Sequence, residues 1–306
     1  MKVEQLYKAA QIEDALSDPE TAHLVLDTDK VIGMNDVPGL SVETVSIEDG
    51  VDVDINLESG IVVEKPVHLC FGVTGKEGIQ RILLDIDIGK DSEIGILAHC
   101  VFPQALDVKH VMDANIGIGA NAKYSYLEKH IHSPEGGLEV IPRANVVLEE
   151  NSRFTSDFEL IEGRVGEMNI DYETTCKKGS VMDMTAKVDG RGNDVIKISE
   201  TGNLVGEGAR GVLTTRVALR EEAEADVYNK LVADAPNARG HVDCKEIVQD
   251  NGSARAVPIV EVNNPKAHVT HEAAIGSVDT KQLETLMSRG LSEDESVDLI
   301  IEGLLS

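Results

Sequence analysis

The sequence predicts a mainly β protein, a parallel β-helix with α-helical segments at both ends, and three observations carry that prediction. From Val51-Asp52-Val53-Asp54-Ile55-Asn56-Leu57 onward, apolar and polar residues alternate with period two, which sets the aliphatic side chains on one face of a strand. Breaker clusters begin at Gly89, Gly119, Glu149, Lys177 and Gly206, roughly 30 residues apart, with further turns near the half period at Pro134-Glu135-Gly136-Gly137, at 162–166 and at 190–194. Aromatic residues make up 3% of the chain and Trp is absent, so the interior must be filled by stacked Val, Ile, Leu and Ala. So regular a turn interval leaves no room for crossover helices. The coils must wind directly onto one another, each burying its face on the next.

Taken in order, residues 1–35 read as an N-terminal helical segment. Val3, Leu6, Tyr7, Ala10 and Leu16 lie near helical spacing, and Asp18-Pro19 breaks the run. Residues 36–262 form the β-helix core, with short strands up to Val262. Residues 263–306 form a C-terminal helical segment. Within it Asp279 caps a helix from Thr280, Leu283, Leu286 and Met287 share a face, and Gly290 stops it. Ser292 and Glu295 make a capping box for a second helix, whose apolar stripe is Val297, Ile300, Ile301 and Leu304. A stack of coils has two ends with unpaired backbone groups. The N-terminal segment covers one, which leaves the last strands, around Val257–Val262, free to meet a second copy about a two-fold axis.

The 306 residues include 55 Asp and Glu against 28 Lys and Arg, a net charge of −27. Such a surface repels phosphate backbones and anionic lipid, which argues against a nucleic-acid or membrane partner. The opening MKVEQLYKAAQIEDALSD has no apolar core of a secretion signal, and no run reaches the length of a membrane span, so a cytoplasmic location is expected. Cys70, Cys100, Cys176 and Cys244 are widely separated and form no CxxC pair, which reads as free thiols. No phosphate-binding loop, GxSxG or HExxH is present, so ATP chemistry would have to come from a partner. An acyltransferase or polysaccharide-active β-helix is disfavoured by the lack of an isoleucine-led hexapeptide repeat and the scarcity of aromatics.

Candidate chemistry lies in three places. In Gly240-His241-Val242-Asp243-Cys244-Lys245-Glu246-Ile247, alternation separates His241 from Cys244; read alone, Cys244 is a small buried filler. His268, His271 and Glu272 fall within five positions; read alone, His271 and Glu272 make either a polar loop with a salt bridge or a ligand site, and His268 need not face the same way. His68 and Cys70, then His99 and Cys100, then His130 and His132 recur about one repeat apart. They would stack either as a sulfur or metal route or, the preferred reading, as a ladder of side chains in a rung interior. Cys176 has no histidine beside it and reads as core.

The run HVTHEAAIGSVDTKQLETLMSRGLSEDESVDLIIEGLL, from His268 to Leu305, resembles the C-terminus of the SufB/SufD family of iron–sulfur cluster assembly proteins, especially the shorter archaeal type. The likeness is carried by His271-Glu272-Ala273, Gly276, Gln282-Leu283 and Arg289-Gly290, and more weakly by the Cys244 segment and the repetitive middle. It implies a right-handed parallel β-helix that dimerises through its C-terminal end. It also implies a non-enzymatic scaffold for an iron–sulfur cluster, [4Fe-4S] being one candidate type, with apoproteins as cluster acceptors. A SufC-type ABC ATPase would dock on the C-terminal helices. Cys244, His271 and Glu272 would hold the cluster, with His268 and His241 as further metal ligands. Many SufB proteins carry a second cysteine in the turn before the last strand, where this chain has Gly252. The alternative implied is a SufD-like docking subunit that ligates no cluster.

Overall fold

The computed structural model describes Leu6, Lys8, Ala10 and residues 12–306. After a short helix α1 (Glu13–Ser17), β1 (His23–Asp27) and β2 (Lys30–Asn35) form one antiparallel hairpin, and β3 (Leu40–Ile47) and β4 (Gly50–Leu57) form another. The chain then winds through β5 (Val67–Gly72), β6 (Glu77–Ile88), β7 (Glu93–Phe102), β8 (Asp107–Ile118), β9 (Lys123–His132), β10 (Leu138–Leu148) and β11 (Arg153–Glu162). It continues through β12 (Gly166–Cys176), β13 (Val181–Gly190), β14 (Val195–Leu204), β15 (Arg210–Leu219), β16 (Glu224–Ala233), β17 (Arg239–Val248), β18 (Ser253–Val262) and β19 (His268–Gly276). The odd strands from β5 upward join β1 and β2 in one sheet, and the even strands join β3 in the other. From β5 on, every pairing is parallel with the strand two places along in sequence, which is a β-solenoid of two strands per turn.

Alternation sets the inward face, and parallel register stacks like on like. On β6, β8, β10 and β12 the column Ile86, Ile116, Val146, Thr174 is buried at each level. Each aliphatic side chain so removed from water contributes about 1.5–3 kcal/mol. The breaker clusters are the corners. Asp91, Asn121 and Asn151 take left-handed φ of 58°, 60° and 59°, a conformation Asn and Asp tolerate, and Asn121 donates to Asp91 Oδ1 at 2.7 Å. At the fifth corner a Cβ on Gly206 would lie 2.0 Å from the Lys178 backbone nitrogen, so successive corners touch through their main chains.

Two boundaries differ from the sequence expectation. The segment 1–35 is not helical throughout, because 23–35 is the hairpin β1–β2; Val3 and Tyr7 lie outside the described residues. His23, Leu24, Val25 and Leu26 are all buried, since Val25 and Cys70 on the outer face are covered by Leu6, Ala10 and Ile12. A strand covered on both faces loses its period-two signature. The segment 263–306 likewise opens with a strand, β19, which adds one rung beyond Val262. Beyond it lie α2 (Thr280–Met287), capped by Asp279, and α3 (Glu293–Leu305), whose Ser292–Glu295 capping box is present. Ile301 and Leu305 pack on Ala218, so α3 folds back over the outer face of the larger sheet. No helix among the described residues is long and apolar enough to cross a membrane.

Candidate functional site

The C-terminal end is built by β17 and β19, which pair in register with Val242 against His271, Asp243 against Glu272 and Cys244 against Ala273. On β17 the inward residues are Val242, Cys244 and Glu246, all buried. His271 therefore continues the inward column of Val242, and Glu272 continues the outer column of Asp243. Cys244 lies one rung below the open end, fully buried, where Asn229 Nδ2 donates to its Sγ at 3.7 Å and to Thr215 Oγ1 at 2.6 Å. Burial first, and the nearby carboxylates Glu246, Glu200 and Asp243 second, push its thiol up to about 12. Cys244 is thus protonated until a metal or electrophile takes the place of the proton.

Outer-face residues form their own set. His241 Nδ1 and Thr270 Oγ1 are hydrogen-bonded at 2.8 Å, and Asp243 pairs with Arg216. His268 is the exposed register partner of Arg239. One chain thus brings Cys244 and His271 to the inner face and sets Glu272, His268 and His241 on the outer one. The three expected cluster ligands do not converge within a single subunit.

The expected column of imidazoles and thiols is likewise divided between two faces. His99 stacks on His68 with ring centroids 5.9 Å apart on the outer face, and burial first, then the His68 and Lys129 charges, lowers it to about 4. Cys70 lies on that same outer face, under Leu6 and Ala10. Cys100, His130 and His132 point inward instead, and the structure adds Glu128 and His110 to them. Cys100 Sγ donates to Glu128 Oε1 at 3.8 Å and lies 3.9 Å from His110 Nε2. Glu128 Oε1 is 2.8 Å from His130 Nε2, His130 Nδ1 is 3.0 Å from His132 Nε2, and His132 Nδ1 donates to the Arg164 carbonyl at 3.2 Å. Glu128 Oε2 and His110 Nδ1 have no hydrogen-bond partner among the described residues.

A signal for this cluster exists in the sequence. In Lys123-Tyr124-Ser125-Tyr126-Leu127-Glu128-Lys129-His130-Ile131-His132 the two tyrosines set the inward phase, and the same phase carries Glu128, His130 and His132 into the core. Glu200 and Glu246, also inward and buried, follow the same rule.

A family model described as SUF system FeS cluster assembly, SufBD core domain, matches residues 74–304. An iron-sulfur cluster assembly SufBD family protein of Methanocaldococcus jannaschii is 36% identical over 282 residues, 92% of this chain and 89% of that protein. One of Pyrococcus horikoshii is 35% identical over 301 residues, 98% of this chain and 92% of that protein. The iron-sulfur cluster assembly protein SufB of Bacillus subtilis is 22% identical over 264 residues, covering 82% of this chain and 54% of its own.

Proposed function

The chain belongs to the SufBD family of SUF-system iron–sulfur cluster assembly proteins, and on that premise we propose that it is the scaffold subunit itself. Two copies join through their C-terminal ends, a SufC-type ABC ATPase supplies ATP hydrolysis, and the chain performs no catalysis of its own. The cluster is cargo, built near the subunit junction and passed to apoproteins.

The observation that carries this reading is the last rung. β18 and β19 are the terminal strands of their sheets, β19 is exposed along nearly its whole length, and Cys244 lies one rung beneath it with His271 on the same face. A two-fold axis across those edges doubles every ligand, so thiolate and imidazole from two chains supply four positions. Mixed ligation holds a cluster less firmly than four thiolates, which suits a scaffold that releases its product. Exposed apolar residues at that end, Ile259, Val262 and Ile275, favour burial against a second copy. Helix α2 buries none of its residues and leaves Met287 exposed, which supports an ATPase docking there.

The test is iron and acid-labile sulfide per dimer, with electronic and Mössbauer spectra, on protein purified without oxygen together with its ATPase. Cluster in the parent and loss of it in Cys244→Ala is the expected result. A Cys244→Ala, Glu272→Ala double variant that still assembled a full cluster would remove the ligand assignment. The docking-only reading is favoured by the depth of Cys244 and by Gly252 in the β17–β18 turn; failure of the parent to hold any cluster after reconstitution selects it.

A further inference from the structure

The Cys100 cluster is unlike the rest of the solenoid interior. Among the described residues, Cys100, Glu128 and His130 are the one group of three potential metal ligands whose donor atoms lie within 4.8 Å of one another, and all three are buried. The hydrogen-bond chain behind them fixes a tautomer. The Arg164 carbonyl only accepts, so His132 carries its proton on Nδ1 and offers Nε2 as an acceptor to the His130 Nδ1–H. His130 is left with Nε2 directed at Glu128 Oε1. Two electron-rich atoms at 2.8 Å need a positive centre between them, either a proton or a metal ion.

We propose that Cys100, Glu128 and His130, with His110 as fourth ligand, bind one divalent transition-metal ion of the zinc or ferrous class inside the solenoid. Thiolate and carboxylate cancel the ion's two charges and the two imidazoles add none, so the loaded site is neutral, as burial demands. His110 Nε2 approaches Cys100 Sγ at 3.9 Å but stands outside the group of three, so it moves inward to complete the shell. In a tetrahedral site with bonds of about 2.0–2.3 Å, ligand atoms stand about 3.3–3.6 Å apart. The sulfur contacts, 3.8 Å to Glu128 and 3.9 Å to His110, are within a few tenths of that. The Glu128–His130 contact opens by about half an ångström when the ion replaces the shared proton. Binding forms the sulfur–metal bond and releases the thiol proton, and the proton between Glu128 and His130 leaves with it. The His132–Arg164 chain then orients the ligating imidazole from behind.

This ion is separate from the cluster at the C-terminal end and does not depend on the scaffold reading. Glu128 and Cys244 share one inward column through Phe158, Ala186 and Thr215, four strand steps in all. At about 4.8 Å per step they are roughly 19 Å apart.

The experiment measures metal per chain by mass spectrometry on the full-length protein, both as purified after exhaustive chelation and after unfolding and refolding with Zn2+ or with Co2+ as a spectroscopic probe. One equivalent resistant to chelator in the folded state is expected. With cobalt, a thiolate-to-metal charge-transfer band and tetrahedral d–d bands should appear, be lost in Cys100→Ser, and be retained in Cys244→Ser and His271→Ala. X-ray absorption on the wild-type zinc form needs no variant and should show one sulfur among four scatterers. The proposal is overturned by metal that chelators remove from the folded chain, by an unchanged cobalt spectrum in Cys100→Ser, by loss of the equivalent in Cys244→Ser, or by a zinc shell lacking sulfur.

Discussion

His271 stands over Val242. The two are register partners on β19 and β17, the valine fully buried and the histidine exposed, because the solenoid ends one residue above the other. Glu272, the next residue, turns to the opposite face and continues the column of Asp243. Adjacent members of one short motif are therefore committed to different surroundings.

The two residues should fail differently. In the proposed scaffold, His271→Ala removes an inner-face group and is expected to lower the iron retained after reconstitution by about tenfold or more. Glu272→Ala should leave equilibrium iron content nearly unchanged and slow the rate at which it is reached. Stopped-flow loading and endpoint iron assays separate the two; equal endpoint losses would contradict the split.

Stability should fall as pH rises from acid to neutral. Burial pushes the Glu200 carboxyl from an ordinary 4.5 to about 8. Burial likewise raises Glu246 to about 7, against the opposing charge of Arg216. The folded chain keeps protons there that the unfolded chain surrenders above its own pKa. The stabilisation is complete below about pH 4.5 and is lost progressively up to about pH 8. Thermal midpoints followed from about pH 5 to pH 8 should decline in the parent and decline less in Glu200→Gln. Parallel curves would show that Glu200 is not the source.

Glycine substitutions should divide by where the new methyl goes. Gly206→Ala drives a Cβ to 2.0 Å from the Lys178 nitrogen in the corner below and should cost about 1–3 kcal/mol or more. Gly303 lies within α3 with nothing inside 4 Å of its would-be Cβ, so Gly303→Ala should gain about 1 kcal/mol of helix stability. Denaturant midpoints measure both, and a neutral Gly206→Ala would mean that the corners are not in backbone contact.

The corners were the most legible part of the chain. Gly89, Gly119, Glu149, Lys177 and Gly206 each open a real turn between a strand of one sheet and the next strand of the other, and the caps at Asp279 and Ser292 form as their side chains suggest. These signals are local, so sequence spacing alone exposes them. The β1 strand was hidden because it is buried on both faces, which erases alternation. The Glu128 cluster was hidden for the opposite reason. Its residues obey alternation faithfully, but they place polar groups at positions where apolar ones are expected, and only the assembled register brings His110 of the other sheet to Cys100. The split of His271 from Glu272 follows from their adjacency on a strand and needed only β19 to be recognised as one.

The solenoid is not the same at its two ends. At the start, β2 and β3 run against the direction of the rungs, and the β1–β2 pairing shifts register between Val25 and Leu26. At the finish, β18 and β19 keep the direction of every rung below them. A copy arriving head to tail would need to continue a parallel coil and would meet reversed strands instead. In the proposed assembly each molecule thus behaves as a monofunctional monomer: it has one reactive end, spends it on its first encounter, and the product is a dimer that cannot propagate into a fibre.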